Sequence, residues 1–195
     1  MTGRRTDLAA SVRSALRALA EADVPHAVIG AAALAARGLP RMTRDLDVVV
    51  VTEDAFAALA ALGAAGFESR TPIRHDDEPE AMYVLEHGAG GIEVDLLVAS
   101  AEPESTVVAE AEEAEVFGVH APVATLEHLV LMYLYSNQAK HLGDFARVVT
   151  ETTVDLAVVE RYLADVHPEM LPVLKQRVVA ARNPAAPPAR PDRRR

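Results

Sequence analysis

The sequence predicts an α/β fold in which a small mixed sheet with flanking helices precedes a helical C-terminal region. Strand-like and helix-like stretches alternate along about the first 120 residues, and only helical spacing of apolar residues follows from 126. Half of the 195 residues are apolar and only 4% are aromatic, so we expect a core of Leu, Val and Ala. This length is typical of one domain with a small appendage.

The N-terminal half begins with an amphipathic helix and continues with short strands. Leucine and valine recur every three or four residues along 6–21, which is the spacing of one helix face. The valine run in 45–51 predicts a strand that is buried on both faces, and Thr52 is expected to cap the next helix. In chain order, we predict helices at 6–21, 31–37 and 53–64 and strands at 26–29, 45–51, 67–73, 82–87 and 91–99.

The C-terminal part begins less regularly. Residues 107–118 favour a ragged strand or hairpin, and helical spacing then runs from 126 to about 165, with a last helix at 170–179. The end of the chain is rich in proline and arginine, a composition typical of disorder. We therefore predict three parts, which are an α/β domain over 1–122, a helical region over 123–181 and a disordered tail over 182–195.

The composition argues against several classes of protein. Without cysteine, the chain has no disulfide, no thiolate metal site and no thiol nucleophile. No apolar stretch reaches the roughly 18 residues of a membrane span, so we expect a cytoplasmic protein without membrane contact. The formal net charge of −10 disfavours extensive non-specific binding to nucleic acid, although a local basic face is compatible with a small RNA. The sequence contains neither a Gly-x-Gly-x-x-Gly motif nor a serine-hydrolase elbow.

Two aspartates stand at the start of the valine-rich strand. Asp45 and Asp47 are two residues apart, so in a strand they project from the same face, with Leu46 on the other. Like charges this close repel each other unless a cation joins them, and Mg²⁺ or Mn²⁺ prefers such oxygen ligands. An Asp-x-Asp pair can also be a solvated strand face, but the valines that follow favour a built site.

A third carboxylate, Asp95, lies in the predicted strand 91–99. If this strand pairs beside 45–51, Asp95 joins the face of Asp45 and Asp47. Three carboxylates on one sheet face are typical of a two-metal site for phosphoryl transfer. Glu93 shares the face of Asp95 and is interpreted as the plainer case of a solvated residue.

Gly30 lies where the first short strand gives way to a helix. Backbone N–H groups at such a turn bind phosphate, and a residue without a side chain lets phosphate approach closely. Arg37, Arg41 and Arg44 follow before the aspartates. Each arginine alone is typical of a solvated surface, but together they could hold triphosphate oxygens.

This order of motifs resembles that of the DNA polymerase beta-type nucleotidyltransferases. Members of that superfamily place Gly-Gly or Gly-Ser after a strand, then a helix, then Asp-x-Asp on the next strand, and a third Asp later. Here the equivalents are Gly30-Ala31, Asp45-Leu46-Asp47 and Asp95.

The longer string VIGAAALAARGLPRMTRDLDVVV is more similar to the AbiEii-type nucleotidyltransferase toxins and their relatives. These proteins carry Gly-x-x-Arg-x-Thr before Asp-Leu-Asp, which corresponds here to Gly38, Arg41 and Thr43. The likeness covers about residues 8–100 well and 125–150 more loosely.

The resemblance implies a metal-dependent enzyme that moves an NMP from an NTP to an acceptor hydroxyl and releases pyrophosphate. Mg²⁺ or Mn²⁺ would bind to Asp45, Asp47 and Asp95, and Asp95 would help to deprotonate the acceptor. The nucleotide-binding residues that it implies are Gly30, Ala31, Arg41, Thr43, Lys140 and Asp144. The acceptor could be a tRNA 3′ end, a protein or a small molecule, and a cognate antitoxin could be a partner.

Two departures from the family pattern favour an alternative function. Ala31 replaces the second Gly or Ser, which removes a possible hydroxyl contact to phosphate. Tyr133 stands where relatives often place a lysine, and His141 replaces the first acid of a Lys-Asp-x-x-Asp-like segment that here runs from Lys140 to Asp144. The alternative is a nucleotidyltransferase-like binding or regulatory protein that has lost catalysis.

Overall fold

The computed structural model describes residues 8–74, 78–88, 92–136 and 138–183. It confirms the predicted class, because a mixed seven-stranded sheet with flanking helices precedes a part of the chain whose described elements are helices. The described residues group into two compact units, one ending at Met132 and one beginning at Tyr133. Most of the predicted tail, residues 184–195, lies outside the described residues.

Helices and strands alternate along the first unit, as the sequence predicts. The elements are α1 (Leu8–Glu21), β1 (Ala27–Val28), α2 (Gly30–Ala36), β2 (Asp45–Val51), α3 (Ala55–Ala64), β3 (Phe67–Ser69), β4 (Met82–His87), β5 (Glu93–Ala99), α4 (Glu104–Ala109), β6 (Glu112–Val116), β7 (Val119–Val123) and α5 (Leu126–Tyr135). A 3₁₀ turn joins β2 to α3. The end of α5 crosses the boundary between the two units.

The strand β2 is the centre of the sheet, whose order is β3-β4-β5-β2-β1-β7-β6. On one side β2 pairs antiparallel with the two-residue β1, and on the other it pairs parallel with β5. The parallel pairing is continuous over seven residues, from Asp45 opposite Glu93 to Val51 opposite Ala99. Because the register is unbroken, every residue of β2 has a fixed neighbour on β5.

The core of the first unit explains why β2 is rigid. Leu46, Val48, Val49 and Val50 are all fully buried, and α2, α3 and α4 contact this strand. Full burial of each such side chain stabilises the folded state by about 1.5–3 kcal/mol. Asp45 and Asp47 alternate with the buried Leu46 and Val48 at the start of the strand, so their side chains are held in fixed directions.

Two local predictions are wrong. Glu104–Ala109 forms α4, whereas a strand or hairpin was expected around 107–118, and the hairpin itself is β6–β7. The Ser-Thr-Val-Val run has strand propensity, but helix geometry buries Val107 completely and tertiary packing overrides propensity. Thr52 does not cap a helix, because its hydroxyl donates a hydrogen bond to the carbonyl of Ala99 at 3.0 Å.

The second unit continues with three helices. They are α6 (Ala139–Glu151), α7 (Leu156–Val166) and α8 (Leu171–Arg182), with a 3₁₀ turn before α8. Phe145 of α6 and Leu174 of α8 are buried, and these two helices contact each other. Asp155 caps α7 by accepting from the N–H of Ala157 at 2.9 Å. None of the helices in the described part of the chain is both long and apolar enough to cross a membrane.

Two buried histidines make stability depend on pH. Burial lowers the pKa of His26, whose Nδ1 lies 2.8 Å from the carbonyl oxygen of Val24, and burial also lowers the pKa of His128 in spite of Glu110 at 3.4 Å. Below the unfolded-state pKa of about 6.5, the unfolded chain binds protons that the folded chain does not. Stability is therefore lost as pH falls through this range.

We expect the free energy of unfolding to decrease between pH 7.5 and 5.5, by up to about 1.4 kcal/mol per pH unit for each histidine. Urea titrations at several pH values measure this slope. His26→Gln should reduce the slope, whereas His120→Gln, at an exposed position of β7, serves as the control. An unchanged slope in His26→Gln would contradict the role of His26.

Candidate active site

The pairing of β2 with β5 brings three carboxylates to one face of the sheet. Asp47 lies directly opposite Asp95 in the parallel register, and Asp45 lies one step along the same face. Neighbouring strands are about 4.8 Å apart, so these side chains share one small surface. All three aspartates are partly exposed, whereas Leu46 and Val94 on the other face are buried. Asp95 therefore shares the face of Asp45 and Asp47, as predicted for the case in which the two strands pair.

Gly30 makes room for the carboxylate of Asp47. The N–H of Ile29 donates to the backbone oxygen of Asp47 at 3.0 Å, which draws the start of α2 against β2. A Cβ atom at position 30 would lie 2.0 Å from Oδ2 of Asp47 and 2.7 Å from its Cγ. The φ of +61° is also in the left-handed region that favours glycine. The carboxylate of Asp47 therefore occupies the space that a side chain at residue 30 would need.

Thr43 positions the carboxylate of Asp45. Its hydroxyl donates a short hydrogen bond to Oδ1 of Asp45, and Oγ1 also lies 3.5 Å from the N–H of Asp45. A side chain two residues before Asp45 therefore holds both its backbone and its carboxylate. Thr43 is predicted to bind nucleotide, and the structure adds this contact with Asp45, a candidate metal ligand.

Thr43→Val is expected to lower the rate of NMP transfer about tenfold, because it keeps the shape of the side chain and removes the hydrogen bond, worth about 1–1.5 kcal/mol. Thr43→Ser keeps the hydroxyl and should retain most of the activity. Steady-state rates and melting temperatures of both variants measure the effect. Equal rates in the two variants would show that the hydroxyl has no role.

The three arginines before the aspartates differ in their surroundings. The guanidinium of Arg37 donates to the carbonyls of Val123 and Ala124 at 2.9 and 3.0 Å and pairs with Glu112 at 3.0 Å. These contacts connect the end of α2 to the end of β7, so the Arg37 side chain is not available to bind triphosphate. Arg41 is half-buried and donates to the carbonyl of Met42 at 3.3 Å. Arg44 is exposed.

The predicted residues of the helical part lie in the second unit. Lys140 is exposed on α6, whereas Asp144 on the same helix is only 4% exposed. Nδ1 of His141 is 2.6 Å from Oγ of Ser136, and its ring lies 5.3 Å from the ring of the buried Tyr133. Tyr133 is therefore a packing residue within this unit. A role of Lys140 and Asp144 in nucleotide binding stays a prediction.

Arg70 forms ion pairs that are not predicted from the sequence. This residue follows β3, and its guanidinium lies between Glu86 of β4 and Glu93 of β5. Nη2 is 2.6 Å and Nε 3.1 Å from Oε2 of Glu86, and Nη1 pairs with Oε1 of Glu93. Hydrogen bonding to Glu86 raises the pKa of Arg70, and Glu93 adds to the effect. Arg70 is 16 and 23 positions from its partners, so only the strand register brings them together.

If a divalent cation binds at this face, it needs ligands besides Asp45, Asp47 and Asp95. Within the described ranges, no group of three or more His, Asp or Glu side chains could hold a metal ion by itself. Mg²⁺ usually binds to one or two carboxylates, substrate phosphates and water, and does not need an all-protein cage. Partly exposed carboxylate oxygens on one sheet face supply this kind of donor.

Solved structures show the same fold. The antibiotic-resistance factor ANT(2'')-Ia is 18% identical over 92% of this chain and 97% of its own, with a TM-score of 0.51. JHP933 from Helicobacter pylori is 17% identical over 93% and 92% of the two chains, with a TM-score of 0.52. The lincosamide antibiotic adenylyltransferase LnuA is 12% identical over 73% of this chain and 97% of its own, also with a TM-score of 0.52.

The family is shown by a match over nearly the whole chain. No curated protein matches the sequence. A family model described as "uncharacterised nucleotidyltransferase" matches residues 1–186. The match includes Gly30, the aspartates of β2 and Asp95, and it also includes the second unit up to the end of α8. The chain therefore belongs to this family of nucleotidyltransferases.

Proposed function

We propose that this nucleotidyltransferase moves an NMP from an NTP to an acceptor hydroxyl in a reaction that depends on Mg²⁺ or Mn²⁺. The observation that supports the proposal most is the in-register pairing of β2 with β5, which places Asp45, Asp47 and Asp95 on one partly exposed sheet face. Gly30 borders the carboxylate of Asp47. A bound cation would neutralise charge on the triphosphate and at the α-phosphorus.

The proposed roles follow from position on the face. Asp45 and Asp47 would hold the cations, and Asp95 would complete the site and accept the proton of the acceptor hydroxyl. The acceptor oxygen then forms a bond to the α-phosphorus as the bond to the bridging oxygen breaks, and pyrophosphate leaves. Much of this catalysis is positioning and charge stabilisation, which suits a rigid strand pair.

The proposed triphosphate contacts come from the start of α2 and from the segment between α2 and β2. The N–H groups of Gly30 and Ala31 and the side chain of Arg41 would meet phosphate oxygens, and Thr43 would act there or through Asp45. Lys140 and Asp144 are retained as nucleotide contacts on the sequence resemblance alone. If these contacts form, a bound nucleotide should slow the amide hydrogen exchange of residues 30–47.

The acceptor is proposed by class. ANT(2'')-Ia has been solved with adenylyl-2''-tobramycin, and LnuA with lincomycin, so two proteins of this fold act on small antibiotics. The sequence resemblance to AbiEii-type toxins, carried by the string from Val28 to Val50, adds a tRNA 3′ end and a protein as candidate acceptors and a cognate antitoxin as candidate partner. A small hydroxylated molecule, a tRNA 3′ end and a protein hydroxyl therefore form the three arms of the test.

The test incubates the full chain with each α-labelled NTP, Mg²⁺ or Mn²⁺, and one acceptor class at a time. We expect one acceptor class to gain label from one preferred NTP, pyrophosphate to be released, and EDTA to prevent both. Calorimetry with each NTP, with and without the metal, runs beside the assay. Absence of label transfer together with absence of metal-dependent NTP binding would favour the non-catalytic binding protein.

A further inference from the structure

The sheet face that carries the three aspartates continues along β4 and β5 as an apolar surface. In the antiparallel register of these strands, Val84 is opposite Asp95 and Met82 is opposite Leu97. Residues opposite each other in such a pair project from the same face, and Leu97 is two positions from Asp95. Val84, Leu97 and Met82 therefore share the face of Asp95, and we call these three side chains the apolar strip.

The apolar strip is open to solvent, whereas the other face of the same strands is covered. Met82 is 46% exposed, and Val84 and Leu97 are both partly exposed. The residues that alternate with them along the two strands are buried, and these are Tyr83, Leu85, Val94 and Leu96. An open apolar surface beside a few polar groups is the usual lining of a site for a small ligand.

The face is charged on the other side of Asp95. Glu86 and Glu93 are opposite each other there, and both pair with Arg70. Two carboxylates share one guanidinium, so this part of the face keeps a net negative charge. A phosphate-rich acceptor would be repelled on this side, and on the apolar strip its phosphates would lose hydration without a partner. Along β5, both directions from Asp95 therefore disfavour RNA.

We propose that the apolar strip binds the apolar body of a small acceptor whose hydroxyl lies at Asp95, so that the acceptor is an aliphatic or ring alcohol without phosphate groups. This inference rests on the proposed function, because it names the acceptor class of the same site. The acceptor oxygen bonds to the α-phosphorus, its proton passes to Asp95, and the bond to the bridging oxygen breaks to release pyrophosphate. Strand spacing makes the apolar strip about 5 Å by about 7 Å, which matches a short chain or one ring.

In the experiment, the full chain is given each α-labelled NTP, Mn²⁺ and one primary alcohol at a time, from ethanol to hexanol. Burial of each added methylene should raise kcat/KM for the alcohol by up to about fourfold. Val84→Thr and Leu97→Asn introduce a polar group into the apolar strip at nearly constant size. Each is expected to reduce the gain from ethanol to hexanol by about threefold or more.

Two further variants serve as controls. Val119→Thr makes the same change as Val84→Thr at a partly exposed position of β7, which is separated from β5 by β2 and β1. It should keep the dependence of the wild type on chain length. Leu97→Met keeps an apolar side chain of similar volume and should retain most of this dependence. Melting temperatures of all variants should stay within a few degrees of the wild type, because these positions are partly exposed.

Binding is also measured without turnover. The methyl resonances of Val84, Leu97 and Met82 are followed by NMR while hexanol is added, and those of Val119 serve as the internal reference. We expect the methyl groups of the apolar strip to shift at lower hexanol concentrations than those of Val119. Asp47→Ala should lose transfer to every alcohol and keep these shifts, because contact with the apolar strip does not require the cation.

Two results would overturn the assignment of the apolar strip. One is a kcat/KM that does not depend on chain length, or that depends on it equally in the wild type, Val84→Thr and Leu97→Asn. The other is preferred transfer to a tRNA 3′ end or to a protein hydroxyl. If no acceptor gains label, the proposed function itself fails. Selective methyl shifts would then still support a binding site for an apolar group, and equal shifts at Val119 would exclude it.

Discussion

Asp47→Ala is expected to lower NMP transfer by roughly 1,000-fold or more while leaving the fold intact, and Asp45→Ala is expected to do the same. The reason is that each aspartate supplies a carboxylate to the cation, and the charge stabilisation lost is several kcal/mol. The backbone of Asp47 remains in place, because the hydrogen bond to Ile29 uses its carbonyl oxygen.

Stability is expected to change little in these two variants. Asp45 and Asp47 are partly exposed, and their replacement leaves the buried side chains of Leu46 and Val48 in place. The melting temperature of the metal-free protein should therefore stay within a few degrees of the wild type. A drop in activity that merely followed unfolding would show a lower melting temperature instead.

A matched control comes from another carboxylate of the same sheet. Glu68→Ala removes an exposed glutamate of β3, which is opposite Glu86 in the register. We expect its transfer rate and metal dependence to match the wild type. Full metal-dependent transfer by Asp45→Ala or Asp47→Ala would refute the assignment of the site.

The strand that carries Asp45 and Asp47 could be predicted from the sequence, because local patterns determine its structure. The bounds of β2 are those of the predicted strand, because a valine run after Asp-Leu-Asp has few alternatives to a buried strand. The partnership of Asp95 could be stated only as a condition, since strand pairing depends on contacts far apart in sequence. The structure supplies that pairing, and with it the register of Asp47 opposite Asp95.

Features that sequence reasoning missed depend on tertiary contacts. The helix α4 contains a strand-prone run, but Val107 is buried in helical form and α4 contacts β2. The ion pairs of Arg70 join three different strands or strand ends, and no local pattern marks them. The sequence shows an arginine after β3 and glutamates in β4 and β5, but only the strand register shows that these opposite charges meet.

The role of Gly30 changes most between sequence and structure. Its sequence position indicates a phosphate-binding turn, and this remains part of the proposed function. The structure adds that the missing side chain is needed by Asp47, whose carboxylate would be 2.0 Å from a Cβ atom at residue 30. Gly30 therefore limits where the carboxylate of Asp47 can lie, in addition to the proposed contact with phosphate.

Gly30→Ala is accordingly expected to reduce NMP transfer about 100-fold, because relief of the contact must move the Asp47 carboxylate by a distance on the order of 1 Å. The variant also places an alanine at a φ of +61°, which costs about 1–2 kcal/mol of stability. Transfer rate, Mn²⁺ affinity and melting temperature, measured on one preparation, separate these two effects.

Gly118→Ala is the matched control for backbone strain. Gly118 has a φ of +84° in the turn between β6 and β7, and no atom lies within 4 Å of the Cβ that alanine would add. This variant should lose a similar amount of stability and keep its transfer rate and Mn²⁺ affinity. If Gly30→Ala and Gly118→Ala lose stability alike and both retain transfer, the carboxylate of Asp47 does not need the space at Gly30. A loss of transfer and Mn²⁺ affinity confined to Gly30→Ala is the result expected from the contact.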